Sequence, residues 1–196
     1  MGKIYYLMGK SASGKDSIYR LLREDTVLNL HTVTLYTTRP LRDGEEEGVE
    51  YHFTDDAGMH RLEQAGKVIE CRAYQTVHGI WKYATVDDGQ IHLEEQDYLI
   101  IGTLESFIAV RDYFGKECVI PVYVYVEDGE RLLRAIARER QQTQPKYAEL
   151  CRRFLADEAD FQEEKLLTEG ITEAYRFENH DLQSCFEQIK AWMMKQ

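Results

Sequence analysis

A chain of 196 residues with 43% hydrophobic and 30% charged residues and only three prolines can bury one ordinary core, which excludes disordered and fibrous classes. Its formal net charge of −11 opposes a general electrostatic grip on DNA, RNA or an anionic membrane, so an anionic ligand must meet a local basic cluster. The longest apolar runs, 98–101 and 118–126, fall far short of the roughly 20 residues a membrane helix needs.

Taken in chain order, residues 4–8 predict a buried strand, 9–14 a loop, and 15–23 a helix with Ile18, Leu21 and Leu22 inward. A second short strand is expected at 33–36, followed by a polar stretch whose acidic run, 43–47, must be largely exposed. A strand at 51–53, a helix at 55–65 and short strands near 68–70 and 81–86 form a mixed lobe, an insertion and not a separate domain. The continuous apolar runs 97–102 and 119–126 have the pattern of parallel strands covered by helices on both faces. Helical spacing then recurs over 128–140 and 147–167 around a polar tip at 141–145, before a strand at 175–178 and an amphipathic helix at 182–194. Cys71, Cys118, Cys151 and Cys185 form no CxxC and have no flanking histidines, which reads as free buried thiols in a reducing compartment. Residues 1–8 lack the order of features of a signal peptide, and the expectation is a cytoplasmic protein.

Between the first strand and the first helix, Gly9-Lys10-Ser11-Ala12-Ser13-Gly14-Lys15 satisfies the GxxxxGK part of the Walker A pattern. Such a loop turns successive N–H groups onto phosphate oxygens, the helix start adds positive dipole, and Lys15 reaches the outer phosphates. Asp16 stands where a Ser or Thr hydroxyl commonly helps hold Mg²⁺, with the first hydroxyl one residue later at Ser17. Its carboxylate has two open readings, as a metal contact or as an N-terminal helix charge, so the metal ligands are left unassigned.

Arg39 and Arg42 offer planar forks for a phosphate and Tyr51 a phenolic hydrogen bond; the competing reading pairs both arginines with Glu45–Glu47 in a solvated network. The run Thr37-Thr38-Arg39-Pro40-Leu41-Arg42-Asp43-Gly44-Glu45, continuing Gly48-Val49-Glu50-Tyr51-His52-Phe53, resembles the TTRxxRxGExxGxxYxF stretch of guanylate kinases. Val68-Ile69-Glu70, and His78-Gly79 through Tyr83-Ala84-Thr85, resemble that family's FxEW and HGxxYGT segments, with Cys71 replacing an aromatic and a longer loop at 72–77. The resemblance implies that Glu70 accepts from guanine N1 and the exocyclic amine, while Tyr83 and Thr85 contact phosphate or base. His78 reads as a satisfied loop histidine.

Arg134 and Arg138 lie one helical turn apart and Arg153 follows the polar tip, an arrangement similar to the family's lid over ATP. Arg152 is an alternative to Arg153 and Arg140 a further contact; the competing reading pairs these arginines with Glu130, Glu139, Glu149 or Asp157. Lys15, Arg39, Arg134, Arg138 and Arg153 are the expected catalytic set, since positive groups around the transferred phosphoryl supply most of the catalysis. Asn179 sits where the family has an Asn near the adenine.

The resemblance spans the chain and implies an α/β fold: a P-loop kinase with a central parallel sheet flanked by helices, an inserted mixed α/β acceptor-binding lobe and a helical lid. The expected division is one domain over 1–196, with a core of 1–34 and 86–196, a lid at about 134–153 and an acceptor lobe at 35–85. The implied activity is phosphoryl transfer from ATP, with Mg²⁺, to a nucleoside monophosphate, GMP first. The expected partners are small-molecule nucleotides, with no nucleic acid and no membrane, in a monomer or weak homodimer. Thr103 stands where the family carries an Asp, and Leu35-Tyr36 replaces a small polar pair. These departures keep a catalytically diverged binding module, or another (deoxy)nucleoside monophosphate acceptor, as alternatives.

Overall fold

The structure, a computed structural model, describes residues 1–76 and 79–196; His78 lies outside them. β1 (Ile4–Met8) is apolar and buried at every position, so it requires cover on both faces. It lies at the centre of a parallel sheet ordered β2 (His31–Thr32), β7 (Tyr98–Ile101), β1, β8 (Val119–Tyr125) and β9 (Arg176–Glu178). Alternate residues of β1 enter different cores. Tyr5 and Leu7 pack with Ile18 and Leu22 of α1 (Lys15–Glu24) and with Phe186 and Ile189 of α7 (Leu182–Met193). Ile4, Tyr6 and Met8 pack on the opposite face with Phe107 and Val110 of α3 (Leu104–Phe114) and Leu166 of α6 (Glu163–Thr168). Each fully buried Leu, Ile or Phe contributes about 1.5–3 kcal/mol, which pins the sheet and thereby the loop that leaves its centre.

A second sheet, ordered β4 (His52–Phe53), β3 (Tyr36–Thr37), β6 (Gly79–Val86) and β5 (Val68–Thr76), is antiparallel except for the β3–β4 pair. α2 (Asp56–Gln64) is capped by Asp55, which accepts from the Gly58 amide at 2.6 Å, and packs Met59 against Ala84 and Val86. α4 (Asp128–Arg140) and α5 (Tyr147–Asp160) form a helical hairpin beside the loop that follows β1. Among the described residues no helix is long and apolar enough to cross a membrane.

Several local expectations are corrected. The single strand expected at 33–36 is two, because β2 joins the parallel sheet and β3 the other one, with Val33 buried between them. The loop expected after residue 70 is strand: β5 runs to Thr76 and pairs with β6 as far as Thr76 opposite Gly79. Its polar and aromatic alternation hides a hairpin that cross-strand pairing creates. The helix expected over 147–167 breaks after α5, where Phe161 turns inward and stacks on Tyr123 at 5.6 Å. α3 has no counterpart in the sequence reading, since apolar residues distributed around it blur the helical period. Cys118 and Cys185 are buried as expected, whereas Cys71 and Cys151 are exposed.

Candidate functional site

The loop that leaves β1 is shaped for an anion. Ala12 and Gly14 have positive φ, 63° and 85°, and at Ala12 this left-handed geometry costs about 1–2 kcal/mol. Gly14 caps α1 without any side-chain hydrogen bond, which leaves the helix's first amides for a ligand. A side chain at Gly14 would collide with Asn179, whose buried Nδ2 donates to the Ser13 carbonyl at 2.7 Å. Ser13 Oγ is buried with no partner among the described residues. Lys15 lies at the mouth of the loop, its Nζ 3.5 Å from the exposed Asp16 carboxylate. Lys10 turns away: its Nζ binds Glu158 at 2.7 Å and Asp128 at 3.3 Å. Only its backbone belongs to the cradle.

The second sheet and the hairpin face one cleft of about 820 Å³, whose lining includes Ser11, Arg42, Tyr74, Tyr83, Arg152 and Arg153. An adjoining cavity of about 240 Å³ between α4 and α5 is lined by Arg138 and again by Ser11 and Arg153. Arg152 and Arg153 both donate to Glu149, at 2.8 and 2.9 Å, and hold its carboxyl down at about 2. Arg152 lines the cleft as Arg153 does, but only Arg153 also lines the adjoining cavity. Arg134 turns to the far end of the loop, where it donates to the Asn179 carbonyl at 3.0 Å and pairs with Glu130 at 3.0 Å. Arg140 lines neither space.

Arg39 is 3% exposed and grips Glu45 with both terminal nitrogens at 2.8 Å, over the rings of Tyr51 and Phe53 at 5.3 and 5.4 Å. The pairing that competed with phosphate binding is therefore present at Arg39, but it is buried, and the Glu45 carboxyl is lowered by it. Arg42 meets Glu45 through its backbone, its amide donating to the carboxylate at 2.9 Å and its carbonyl accepting from the Glu45 amide at 3.1 Å. Tyr51 meets Tyr83 edge to face at 5.6 Å, continuing the aromatic wall toward the cleft. Glu70 is buried; it accepts from Thr85 Oγ1 at 2.7 Å and from Arg72 Nε and Nη2 at 3.0 and 3.3 Å.

A family model described as guanylate kinase matches residues 1–193. The chain belongs to the guanylate kinase family. Curated guanylate kinases are similar to it in part: that of Mycobacterium bovis is 39% identical over 79 residues, 40% of this chain and 36% of that protein. That of Chromohalobacter salexigens is 35% identical over 101 residues, covering 50% and 46%. The chain thus spans less than half the length of these curated relatives. The guanylate kinase of Symbiobacterium thermophilum matches more widely, 28% identical over 98% of this chain and 85% of that protein. The crystal structure of guanylate kinase from Anaplasma phagocytophilum superposes with a TM-score of 0.62 at 19% identity, covering 99% and 85%, a likeness of fold.

Within this family member, two residues escape the sequence reading. Arg72 sits two positions beyond Glu70 on the same strand face, a spacing visible only once the segment is known to be strand. Arg131 is 1% exposed and pairs with Asp128, Asp157 and Glu158; its position is one turn before Arg134, but no local signal distinguishes it from a solvated helical arginine. Thr103 has a structural partner here. It caps α3 reciprocally with Ser106, whose hydroxyl accepts from Tyr6 at 2.6 Å. Gly102 is required beside it, because a Cβ there would strike both Tyr6 and Ser106 hydroxyls.

Proposed function

We propose that the protein transfers the γ-phosphoryl group of ATP to GMP, yielding ADP and GDP. The observation that carries this reading is a single cleft lined by the phosphate loop through Ser11, by Tyr83 of the second sheet and Arg42 of the loop between β3 and β4, and by Arg152 and Arg153 of the helical hairpin. In this reading the loop and Lys15 hold the donor phosphates. Arg39, Arg42, Tyr51 and Tyr83 hold the acceptor monophosphate, Glu70 and Thr85 face its base, and Asn179 keeps the loop shaped for the donor. Arg39, Arg134, Arg138 and Arg153, with Arg152 the alternative to Arg153, gather with Lys15 on the transferred group as charge moves from the acceptor oxygen to the ADP oxygen. No general base is needed, since the acceptor oxygen is already ionised. The division of labour is a core of 1–34 and 86–196, an acceptor lobe of 35–85 and a lid of about 134–153, in a cytoplasmic monomer or weak homodimer.

Mg²⁺ suits this donor set. No cluster of three or more metal-ligating side chains occurs among the described residues, which fits an ion held by substrate phosphates, water and one or two protein groups. Asp16, 84% exposed at the loop's mouth, and Ser17 are the groups that would hold it. The ion would neutralise phosphate charge.

A second acceptor base is favoured by one observation: Arg72 already occupies both oxygens of Glu70. A coupled assay of ADP release with Mg²⁺, ATP and a panel of monophosphates separates the readings. GMP-stimulated turnover is expected; turnover with another base alone would remove GMP, and none across the panel would remove phosphoryl transfer.

A further inference from the structure

The foot of the helical hairpin is fastened to the phosphate loop by groups that phosphoryl transfer does not itself employ. The fully buried Arg131 guanidinium meets Glu158 at 2.8 Å, Asp128 at 2.9 Å and Asp157 at 3.3 Å, and lies over the Phe154 ring at 4.8 Å. Its Nη1 donates to the Ser11 carbonyl at 3.1 Å, while Asp157 accepts from the Ser11 amide at 2.8 Å. Lys10 closes the ring on Asp128 and Glu158. Both main-chain polar groups of Ser11 and the side chain of Lys10 are therefore engaged by the hairpin.

The placement of these groups along the helices matters. Asp128 and Arg131 open α4, and Asp157 and Glu158 fall near the end of α5, so all four lie at the foot of the hairpin. With a rise of about 1.5 Å per residue, Arg138 sits about 10 Å beyond Arg131, and Arg152 about 7 Å beyond Asp157. Two cations and three carboxylates packed together resist separation, because withdrawing one partner strands the others with poor solvation.

We propose that Arg131 is a positioning residue: by its own bond to the Ser11 carbonyl and through Asp157 on the Ser11 amide it anchors the foot of the hairpin to the phosphate loop, so that lid closure bends beyond this point. Arg138, Arg152 and Arg153 then start each closure from a fixed height above the loop. The anchor also explains why Lys15 and the helix start, and not Lys10, face the donor. What the arginines do once placed rests on the phosphoryl-transfer reading; the anchor itself does not.

The test uses the full chain and the double variant Arg131→Leu/Asp157→Ala, which removes both partners so that neither of this pair is left without the other. Hydrogen–deuterium exchange is followed on peptides covering 9–14 and 147–160, without nucleotide and then with ATP. The double variant is expected to exchange at 9–14 at least about tenfold faster, while the parental loop keeps its protection when ATP is added. In turnover, KM for ATP rises about tenfold and KM for GMP changes less than about twofold, a split that general destabilisation would not produce. A folded double variant with parental exchange and kinetics overturns the anchor, as does parental protein whose 9–14 peptide loses protection on ATP addition. If the double variant does not fold, Asp157→Asn, which leaves Arg131 its other two carboxylates, is expected to raise KM for ATP about threefold and speed exchange at 9–14; parental values there overturn the proposal. Parental protein without GMP-dependent turnover would refute phosphoryl transfer, and exchange would still decide the anchor.

Discussion

Asn179→Ala isolates one buried contact at the phosphate loop. The Asn179 side chain donates from Nδ2 to the Ser13 carbonyl at 2.7 Å, in a place where Ser13 Oγ already lacks a partner among the described residues. Deleting a buried donor strands its acceptor and costs about 2 kcal/mol, which for a domain of this size lowers the melting midpoint by about 4–8 °C. The backbone carbonyl of Asn179 still accepts from Arg134, so the loss is confined to the side chain. Without that clamp the left-handed geometry at Ala12 can relax, and the stabilisation conferred by ATP should shrink as well. Scanning calorimetry with and without ATP reads both effects. Asn179→Asp sharpens the test, because it turns a carboxylate oxygen toward the Ser13 carbonyl and should cost more than Ala. An unchanged midpoint in the Ala variant, or an Asp variant more stable than the Ala one, would refute the reasoning.

Lys15→Ala should abolish turnover and leave the melting midpoint within about 2 °C, since it removes charge from the loop's mouth and nothing from either core; near-parental rates would contradict the assigned donor site. Glu70→Gln should relax discrimination among purine monophosphates by about tenfold and leave KM for ATP unaltered, measured as the ratio of kcat/KM values. A constant ratio would take Glu70 out of base recognition. Glu149 supplies a pH signature: its carboxyl is lowered from 4.5 to about 2 by Arg152 and Arg153, so its stabilising effect is present above pH 4.5 and is lost as pH falls toward 2. The midpoint difference between the parental protein and Glu149→Gln should vanish across that window, and a pH-independent difference would show that the ion pairs do not act.

What could be foreseen depended on how local the cause was. The loop at 9–14 was legible because an apolar strand, a Gly-bounded turn and a helix start follow one another within one short segment, and the structure keeps them so. The residues proposed to hold the acceptor stand in a motif, but their partners were not legible there: Arg39 lies buried on Glu45 instead of in a solvated network. Arg72 stayed hidden because the strand face it shares with Glu70 exists only by pairing with β6. Thr103 looked like a lost carboxylate until its capping of α3 gave it a separate reason to be there.

By itself the sequence determined the family, the parallel core and the phosphate loop, since backbone preference and apolar periodicity act over a few neighbouring residues. The tertiary structure alone decided which charges meet. Arg131 and Ser11 are brought together at 3.1 Å from opposite parts of the chain, and whether an arginine faces solvent, a carboxylate or a substrate is set by long-range burial that no local pattern encodes.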